Sequence, residues 1–406
     1  MRKIALHWQI LIGIVAAILF GTFLPGQIKY VEWLGVIFLR VLKLIVVPLV
    51  LSSLISGITN VGSGSKLGRL GLKTIVYYIS TSLLAILTGL ILVNLFQPGI
   101  RLEGILGDSC GNAAIAEKSL SDTLIEIVPT NIFEALTVNE AMLSIIFFAV
   151  LSGIYITKLK NNHRSLLTGF FNAFFELMMK ITMFVIKLAP IGIFGLVAGA
   201  VVEHSISRDL FASLGKYMLT VVTGLLFHAL ITLPLVLFIF AKVNPLKHYK
   251  AMLTPIITAF STASSNATLP ISIEAVEDNA GVSNSISSFT LPLGATINMD
   301  GTALYELVVA GFAAQVCGIE LTFVQQFVMV ITALLASIGT AAVPMASLVT
   351  MTIIFSIVGL PFEAVALILP VDRPLDMLRT ATNVFSDTCG AVTIASSEGE
   401  ELSKIR

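Results

Sequence analysis

Long apolar runs are the feature that most restricts how this chain can fold. The first run covers residues 4–24 and ends at Pro25 and Gly26. A helix that spans a bilayer needs roughly 20 apolar residues. The run has that length and carries no small-residue cleavage site of the kind that ends a secretory signal. We therefore expect it to remain in the protein as a membrane-spanning helix.

Further apolar runs follow, separated by polar, charged or Gly/Pro-bearing loops. They cover residues 31–58, 73–96, 141–156, 166–201 and 214–241. The composition agrees with a membrane protein, because 56% of the 406 residues are hydrophobic and only 12% are charged. Water-soluble domains carry about 25% charged residues. The sequence thus predicts an all-α integral membrane protein that forms one membrane-embedded unit.

Charge and cysteine content exclude several other classes of protein. The 24 basic residues balance 24 acidic ones, which argues against a nucleic-acid partner. Cys110, Cys317 and Cys389 are few and far apart in the sequence, so we expect no disulfide to crosslink the chain.

The loops indicate how the chain is oriented in its membrane. Lys and Arg are concentrated in the segments that face the cytoplasm if the N-terminus lies inside, as the positive-inside rule requires. The outer loop, residues 97–140, is acidic and carries no Asn-x-Ser/Thr sequon, which favours a prokaryotic source. We expect a multi-pass protein of the prokaryotic plasma membrane with both termini in the cytoplasm.

The second half of the chain contains two broken apolar stretches. Residues 251–276 are interrupted by the polar segment 261–270, and residues 323–360 by the segment 337–344. Each stretch is followed by another broken apolar segment. Paired broken helices typically mark the binding site of a transporter near the membrane midplane. The alternative is that these small residues only allow close helix packing.

A stripe of polar side chains marks the last apolar segment. Its members follow one another at intervals of four, three, four and four residues, which places them on one helix face: Asp372, Asp376, Arg379, Asn383 and Asp387. A charged residue at the bilayer centre costs at least ~2.5–3.5 kcal/mol and usually has a function. The alternative is an amphipathic helix on the membrane surface, with this stripe facing water.

Two members of the stripe suggest the chemistry of a ligand. The planar guanidinium of Arg379 is suited to bind a carboxylate, and Asp376 one turn earlier is suited to bind an ammonium group. A ligand that carries both groups would satisfy both residues. An internal salt bridge between Arg379 and Asp376 is the alternative.

A second polar group indicates cation binding. Asn298, Asp300 and Thr302 lie in a segment rich in Gly and Pro, so we expect the helix to be unwound there, with free carbonyl groups. Hard cations prefer oxygen ligands. Asp300 and Asp387 have no basic partner assigned from the sequence, which a small cation would explain. Hydroxyl groups for the same purpose lie on one short segment at Tyr78, Thr81 and Ser82.

Four segments together resemble the glutamate transporter family, the dicarboxylate/amino acid:cation symporters. They are STASSNATLP, LPLGATINMDGTALYE, ASIGTAAVP and DMLRTATNVFSD. The resemblance implies a homotrimer with eight transmembrane helices and two re-entrant hairpins per protomer, residues 251–276 and 323–360. It also implies a scaffold, residues 1–70 and 141–210, and a transport unit, residues 71–96 and 214–397, that moves like an elevator.

The resemblance assigns roles to individual positions. The implied substrate-binding residues are Ser264, Ser265, Thr302, Val343, Asp376, Arg379, Thr380 and Asn383. The implied sodium-binding residues form three sets: Gly294, Asn298, Asn383 and Asp387; Thr296, Met299, Ser337, Ile338 and Thr340; and Tyr78, Thr81, Ser82, Asn298 and Asp300. Glu306 stands where proton-coupled members carry a glutamate, so it is the candidate proton carrier.

Some positions differ from the family pattern. Members carry a second arginine at the position of Ala263 or of Met377, and Arg373 is the candidate that replaces it here. Ala342 and Ser347 stand where glycines are common in the second hairpin, and Ser386 stands where glycine is usual.

The expected function is sodium-driven import of L-glutamate or L-aspartate, with protons as an open second driving ion. No organic cofactor and no enzymatic activity are expected. A C4-dicarboxylate or neutral amino acid carrier of the same family is the nearest alternative. Outside this class, the alternatives are a passive ion channel and an intramembrane hydrolase with Ser265 as nucleophile. The hydrolase is disfavoured because we expect no histidine near Ser265 and the sequence has no HExxH motif.

Overall fold

The computed structural model of the chain describes residues 6–60, 65–102, 110, 125, 128–137, 142–204, 208–339, 347–362 and 364–405. All regular secondary structure within these residues is helical. The predicted all-α class is therefore confirmed. The number of membrane crossings and the elevator movement stay predictions.

Six helices occupy the six apolar runs of the first half. They are α1 (Leu6–Phe23), α2 (Glu32–Asn60), α3 (Ser65–Phe96), α4 (Met142–Thr157), α5 (Asn161–His204) and α6 (Arg208–Phe227). Helix α3 begins eight residues before the predicted run, because its first two turns carry basic residues that an apolar pattern does not include. Among the described residues, three segments are long and apolar enough to cross a membrane. One lies within α3, one lies within α5, and the third comprises most of α6 and its continuation to Ala241.

Helix α6 continues through two π-helical turns. The first turn, His228–Thr232, follows α6 directly, and the second, Leu237–Ala241, ends at Lys242 in the left-handed region with φ 54°. π-helical turns are rare and are frequently found at functional sites. The first turn directs the buried side chain of His228 into the protein.

The first broken stretch folds into two helices that pack against each other. Helix α7 (Pro245–Ala251) leads into α8 (Leu253–Thr262), and α9 (Ser265–Ala275) follows after a two-residue break. Ala263 adopts a left-handed conformation with φ 49°, and the side chain of Ser264 caps α9 by accepting a hydrogen bond from the amide of Ala267. The break lies within the polar segment that the sequence predicted.

The remaining helices complete the second half. They are α10 (Asn284–Ile297), α11 (Asp300–Val316), α12 (Phe323–Gly339), α13 (Ser347–Val358) and α14 (Ala364–Ser397). Asn298 and Met299 are not helical, which confirms the unwound segment predicted between Pro292 and Thr302. Helices α12 and α13 pack against each other, and α11 and α14 lie beside α3 and α6.

The helices pack in two groups. Helices α1, α2, α4 and α5 form one group, in which α5 contacts the other members. The second group comprises α3, α6 and α8 to α14, with α11 and α14 at its centre. The two groups meet mainly where α12 and α13 lie against α2. Helix α11 is almost completely buried, which places its polar residues in the protein interior.

A disulfide joins Cys110 to Cys317, with a Cα–Cα distance of 5.4 Å, whereas Cys389 is buried and free. The prediction that no disulfide crosslinks the chain is therefore wrong. The two cysteines are 207 residues apart in the sequence, and that separation carries no information about their distance in space. The fold places Cys110 beside Cys317, at the C-terminal end of α11.

Candidate functional site

The polar stripe of α14 lies inside the protein. Asp372, Asp376, Arg379, Asn383 and Asp387 are all buried, with side chains no more than a tenth exposed. The alternative of an amphipathic helix on the membrane surface is therefore wrong. Packing of α8, α10 and α11 against α14 removes the stripe from water.

Charged groups neutralise one another at the start of the stripe. Nη2 of Arg379 donates hydrogen bonds to Oδ1 of Asp376, at 2.9 Å, and to Oδ1 of Asp372, at 3.2 Å. Nη1 of Arg373 donates to Oδ2 of Asp376 at 2.9 Å. The internal salt bridge left open by the sequence is thus present. Two arginines and two aspartates form one compact cluster without net charge.

Arg379 retains hydrogen-bonding capacity. Its Nε and Nη1 atoms are buried and have no hydrogen-bond partner among the described residues. The guanidinium lies 3.7 Å from the ring centroid of Tyr305, whose hydroxyl donates to Oδ1 of Asp372 at 2.6 Å. Buried donors without partners are costly. An anionic group on a ligand would satisfy them, and a planar carboxylate suits the guanidinium.

Other predicted substrate residues surround this arginine. Oδ1 of Asn383 accepts a hydrogen bond from the amide of Gly301 at 2.7 Å, and its Nδ2 donates to the hydroxyl of Thr302 at 3.1 Å. The hydroxyl of Thr380 donates to the backbone oxygen of Asp376 at 2.8 Å. A Cβ atom on Gly301 would lie 2.8 Å from the backbone oxygen of Arg379, so only glycine allows α11 to approach α14 this closely.

The hairpin residues are only partly placed. Ser264 and Ser265 lie at the break between α8 and α9, both of which pack against α14. Ser265 is buried. Val343, predicted to contact substrate from the second hairpin, lies outside the described residues.

The third predicted sodium set is brought together by the fold. The hydroxyl of Ser82 donates to Oδ1 of Asp300 at 2.6 Å. The hydroxyl of Thr81 lies 3.4 Å from Oδ1 of Asp300 and 3.4 Å from Oδ1 of Asn298. Tyr78 is buried beside them and donates to the backbone oxygen of Thr290 at 2.8 Å. Four oxygen atoms of neutral or anionic groups thus converge, as a hard cation requires.

Three of the four members of the first predicted sodium set lie close together: Gly294, Asn298 and Asp387. Nδ2 of Asn298 donates to Oδ1 of Asp387 at 2.8 Å. Gly294 faces this pair closely, because a Cβ atom there would lie 2.5 Å from Oδ1 of Asp387 and 2.7 Å from the hydroxyl oxygen of Tyr78. Asn383, the fourth member, is instead hydrogen-bonded to Gly301 and Thr302.

Thr296, Met299 and Ser337, the described members of the second predicted sodium set, form side-chain hydrogen bonds with other residues. The hydroxyl of Thr296 donates to the backbone oxygen of Leu293, and that of Ser337 to the backbone oxygen of Leu334. The sulfur of Met299 accepts a hydrogen bond from Thr302 at 3.9 Å. Thr340 and the side chain of Ile338 lie outside the described residues.

Two further side chains contact Asp300, and the sequence assigned neither of them to a site. Nε2 of His228 lies 2.9 Å from Oδ2 of Asp300, so Asp300 does have a basic residue as partner, contrary to the prediction. The hydroxyl of Ser386 donates to the same oxygen atom at 2.6 Å. His228 was recognisable as a polar residue within an otherwise apolar run, but nothing in the sequence connected it to Asp300.

Glu306, the predicted proton carrier, is fully buried in α11. Its Oε1 accepts a hydrogen bond from the hydroxyl of Thr350 on α13. Its Oε2 is buried without a partner among the described residues. Glu306 therefore connects α11 to the second helix of the predicted second hairpin.

Paired charges and clustered oxygens at helix breaks, buried within an apolar helical protein, define the class of ion-coupled membrane transporters. The family can be assigned more narrowly. This chain belongs to the sodium:dicarboxylate symporter family, whose model matches residues 6–397.

Individual relatives align over nearly the whole chain. The proton/glutamate-aspartate symporter of Escherichia coli (strain K12) is 37% identical, over 97% of this chain and 93% of the relative. The proton/sodium-glutamate symport protein of Geobacillus stearothermophilus is 36% identical, over 98% and 96%. Excitatory amino acid transporter 3 of Mus musculus is 35% identical, over 98% and 87%. The resemblance that the four sequence segments indicated is confirmed.

Proposed function

We propose that this protein is a secondary active symporter that imports L-glutamate and L-aspartate with sodium. Three relatives that align over most of their length are named as glutamate, glutamate-aspartate or excitatory amino acid transporters. The structural support is the buried pair of Arg379 and Asp376, in which two guanidinium nitrogen atoms have no partner within the described part of the chain. In the proposed mechanism Arg379 binds the side-chain carboxylate of the substrate and Asp376 binds its ammonium group.

Sodium is proposed as the driving ion. In the predicted sodium set centred on Asp300, the side-chain oxygen atoms lie close together, and in the set centred on Asp387, Nδ2 of Asn298 donates a hydrogen bond to Oδ1 of Asp387. Asn298 belongs to both sets. Its Oδ1 accepts a hydrogen bond from Thr81 in one set, and its Nδ2 donates to Oδ1 of Asp387 in the other. Ion binding at one set is therefore expected to affect the other.

We also propose the division of labour between the two helix groups. The group of α1, α2, α4 and α5 would form a scaffold that mediates trimer contacts. The group of α3, α6 and α8 to α14 contains every described candidate site residue and would move as the transport unit. This proposal is supported by the packing, because the groups contact each other mainly where α12 and α13 lie against α2.

A C4-dicarboxylate carrier is the second candidate, and one contact favours it. Arg373 donates to Asp376, so the charge of Asp376 is compensated even without an ammonium group on the substrate. A dicarboxylate would then need only Arg379. The two candidates differ in whether Asp376 contributes to substrate selection.

Uptake into proteoliposomes separates the candidates. We expect labelled glutamate to accumulate against its gradient only under an inward sodium gradient, with unlabelled aspartate competing strongly and succinate weakly. Asp376→Asn should reduce the preference for aspartate over succinate, because the amide carries no charge for the ammonium group. Equal competition by both compounds in the wild type would favour the dicarboxylate carrier. Equilibration without accumulation would indicate a channel.

A further inference from the structure

Ser386 connects Asn298 and Asp300, two members of the third predicted sodium set. Its hydroxyl donates to Oδ2 of Asp300 at 2.6 Å and accepts a hydrogen bond from Nδ2 of Asn298 at 3.0 Å. All three side chains are buried. Asn298 lies in the helix break between α10 and α11 and Asp300 is the first residue of α11, whereas Ser386 belongs to α14. The hydroxyl therefore fixes the break to the central helix of the second group.

Ser386 also determines how the amide of Asn298 is oriented. The two N–H groups of Nδ2 are directed to Ser386 and to Oδ1 of Asp387, at 3.0 and 2.8 Å. Reversal of the amide would place its carbonyl oxygen against the carboxylate of Asp387, which is unfavourable. The amide oxygen is consequently left facing Thr81.

The two carboxylate oxygens of Asp300 have different surroundings. Oδ2 accepts hydrogen bonds from Ser386, at 2.6 Å, and from Nε2 of His228, at 2.9 Å. Oδ1 lies 2.6 Å from the hydroxyl of Ser82 and 3.4 Å from that of Thr81. Oδ2 is thus held by groups from α14 and the π-helical turn, and Oδ1 is directed to the hydroxyl groups of α3.

His228 contacts the same oxygen atom of Asp300 as Ser386 does. The side chain is fully buried, and Nδ1 has no partner among the described residues. Because a carboxylate only accepts hydrogen bonds, Nε2 is the protonated nitrogen of His228 and donates the hydrogen bond to Asp300. One face of Asp300 is therefore held by two donors on two different segments, His228 and Ser386.

We infer that Ser386 and His228 are positioning residues for sodium. They hold Asn298 and Asp300 so that one oxygen of each faces Thr81 and Ser82, and they need not contact the ion themselves. This inference rests on the proposed sodium coupling. Outer hydrogen bonds of this kind commonly change metal affinity by about 10–100-fold. The continuous chain from Asp387 through Asn298, Ser386 and Asp300 to His228 also connects the first and third predicted sodium sets.

The test measures the sodium concentration that gives half-maximal glutamate uptake in proteoliposomes. We expect Ser386→Ala and Ser386→Gly to raise it about tenfold, with a smaller Hill coefficient and an unchanged apparent glutamate affinity at saturating sodium. His228→Leu should act in the same way, whereas His228→Gln, which retains a donor near the position of Nε2, should restore much of the affinity. Thr393→Ala is the matched control, because that hydroxyl donates to the backbone oxygen of Cys389 in its own helix.

A second measurement covers variants that transport poorly. The melting temperature of the purified wild type should rise with sodium, and Ser386→Ala should need about tenfold more sodium for the same rise. Sodium-dependent wild-type uptake together with an unchanged sodium requirement in Ser386→Ala and His228→Leu overturns the inference alone. A lower maximal rate with the wild-type sodium requirement overturns it too, since it shows a structural role. If neither glutamate uptake nor the melting temperature of the wild type depends on sodium, the proposed sodium coupling is overturned together with the inference.

Discussion

Nη2 of Arg379 donates a hydrogen bond to the carboxylate of Asp376 at 2.9 Å, so the two groups proposed to bind opposite ends of the substrate bind each other. A zwitterionic substrate with a second carboxylate would add two ion pairs to this cluster. Its carboxylate would bind Nε and Nη1 of Arg379, which have no partner among the described residues, and its ammonium group would bind Asp376. Neither buried charge then has to remain without a partner during binding.

Arg379→Ala is predicted to lower the apparent affinity for glutamate and aspartate by at least about a hundredfold. Removal of one partner from a buried charge pair typically costs ~3–5 kcal/mol, and here Asp372 and Asp376 would also lose their shared cation. The apparent affinity of Arg379→Lys for both substrates should be higher than that of Arg379→Ala and lower than that of the wild type, since lysine keeps the charge but lacks the planar guanidinium. Competition with labelled glutamate measures both. Wild-type affinity in Arg379→Ala would exclude this residue from substrate binding.

Gly294→Ala is predicted to weaken sodium binding without preventing folding. The added Cβ atom would lie 2.5 Å from Oδ1 of Asp387 and 2.7 Å from the Tyr78 hydroxyl, so one of these groups has to move. The sodium requirement of glutamate uptake should increase by roughly tenfold. Gly215→Ala is the control, because no atom lies within 4 Å of its added Cβ. Identical sodium curves for both variants would contradict the placement of Gly294 at an ion site.

Cys110→Ala is predicted to lower the melting temperature of the purified protein. A disulfide between residues 207 positions apart restricts the unfolded chain, and loss of a native disulfide typically costs about 2–5 kcal/mol. A reductant should lower the melting temperature of the wild type and leave that of Cys110→Ala unchanged. Thiol titration of the denatured, unreduced wild type should detect only Cys389. Detection of all three cysteines would show that the crosslink is not formed.

Features that depend on neighbouring residues were predictable from the sequence. Helical spacing alone placed Asp376, Arg379 and Asn383 on one face, and the glycines and proline near Asn298 indicated the break in the helix. Both predictions are confirmed.

Pairings between distant segments were not predictable in the same way. Nothing in the periodicity of one helix connects His228 to Asp300, 72 residues later, or Cys110 to Cys317. The internal pairing of Arg379 with Asp376 remained undecided because i,i+3 spacing permits both an ion pair and a shared ligand. The structure shows the ion pair with Asp376, and two nitrogen atoms of Arg379 have no partner among the described residues.

Glu306 is predicted to carry a proton during transport. It lies fully buried in α11, where Oε1 accepts a hydrogen bond from Thr350 and Oε2 has no partner among the described residues. Movement of a charged carboxylate through the membrane interior is costly, so we expect Glu306 to cross as the neutral acid and to exchange its proton at each side. Proton movement would then accompany every transport cycle.

Uptake by the wild type and by two variants, compared across an imposed pH gradient at fixed sodium, tests this prediction. An inside-alkaline gradient should accelerate glutamate uptake by the wild type and leave Glu306→Gln unaffected, because glutamine is isosteric but has no proton to exchange. Thr350→Val removes the hydroxyl that Glu306 accepts from and keeps the carboxyl group, so it should retain the acceleration even if its rate at zero gradient changes. Equal acceleration of the wild type and Glu306→Gln would show that another group carries the proton. Loss of the response in Thr350→Val alone would assign the coupling to the contact between α11 and α13 instead of to the carboxyl group.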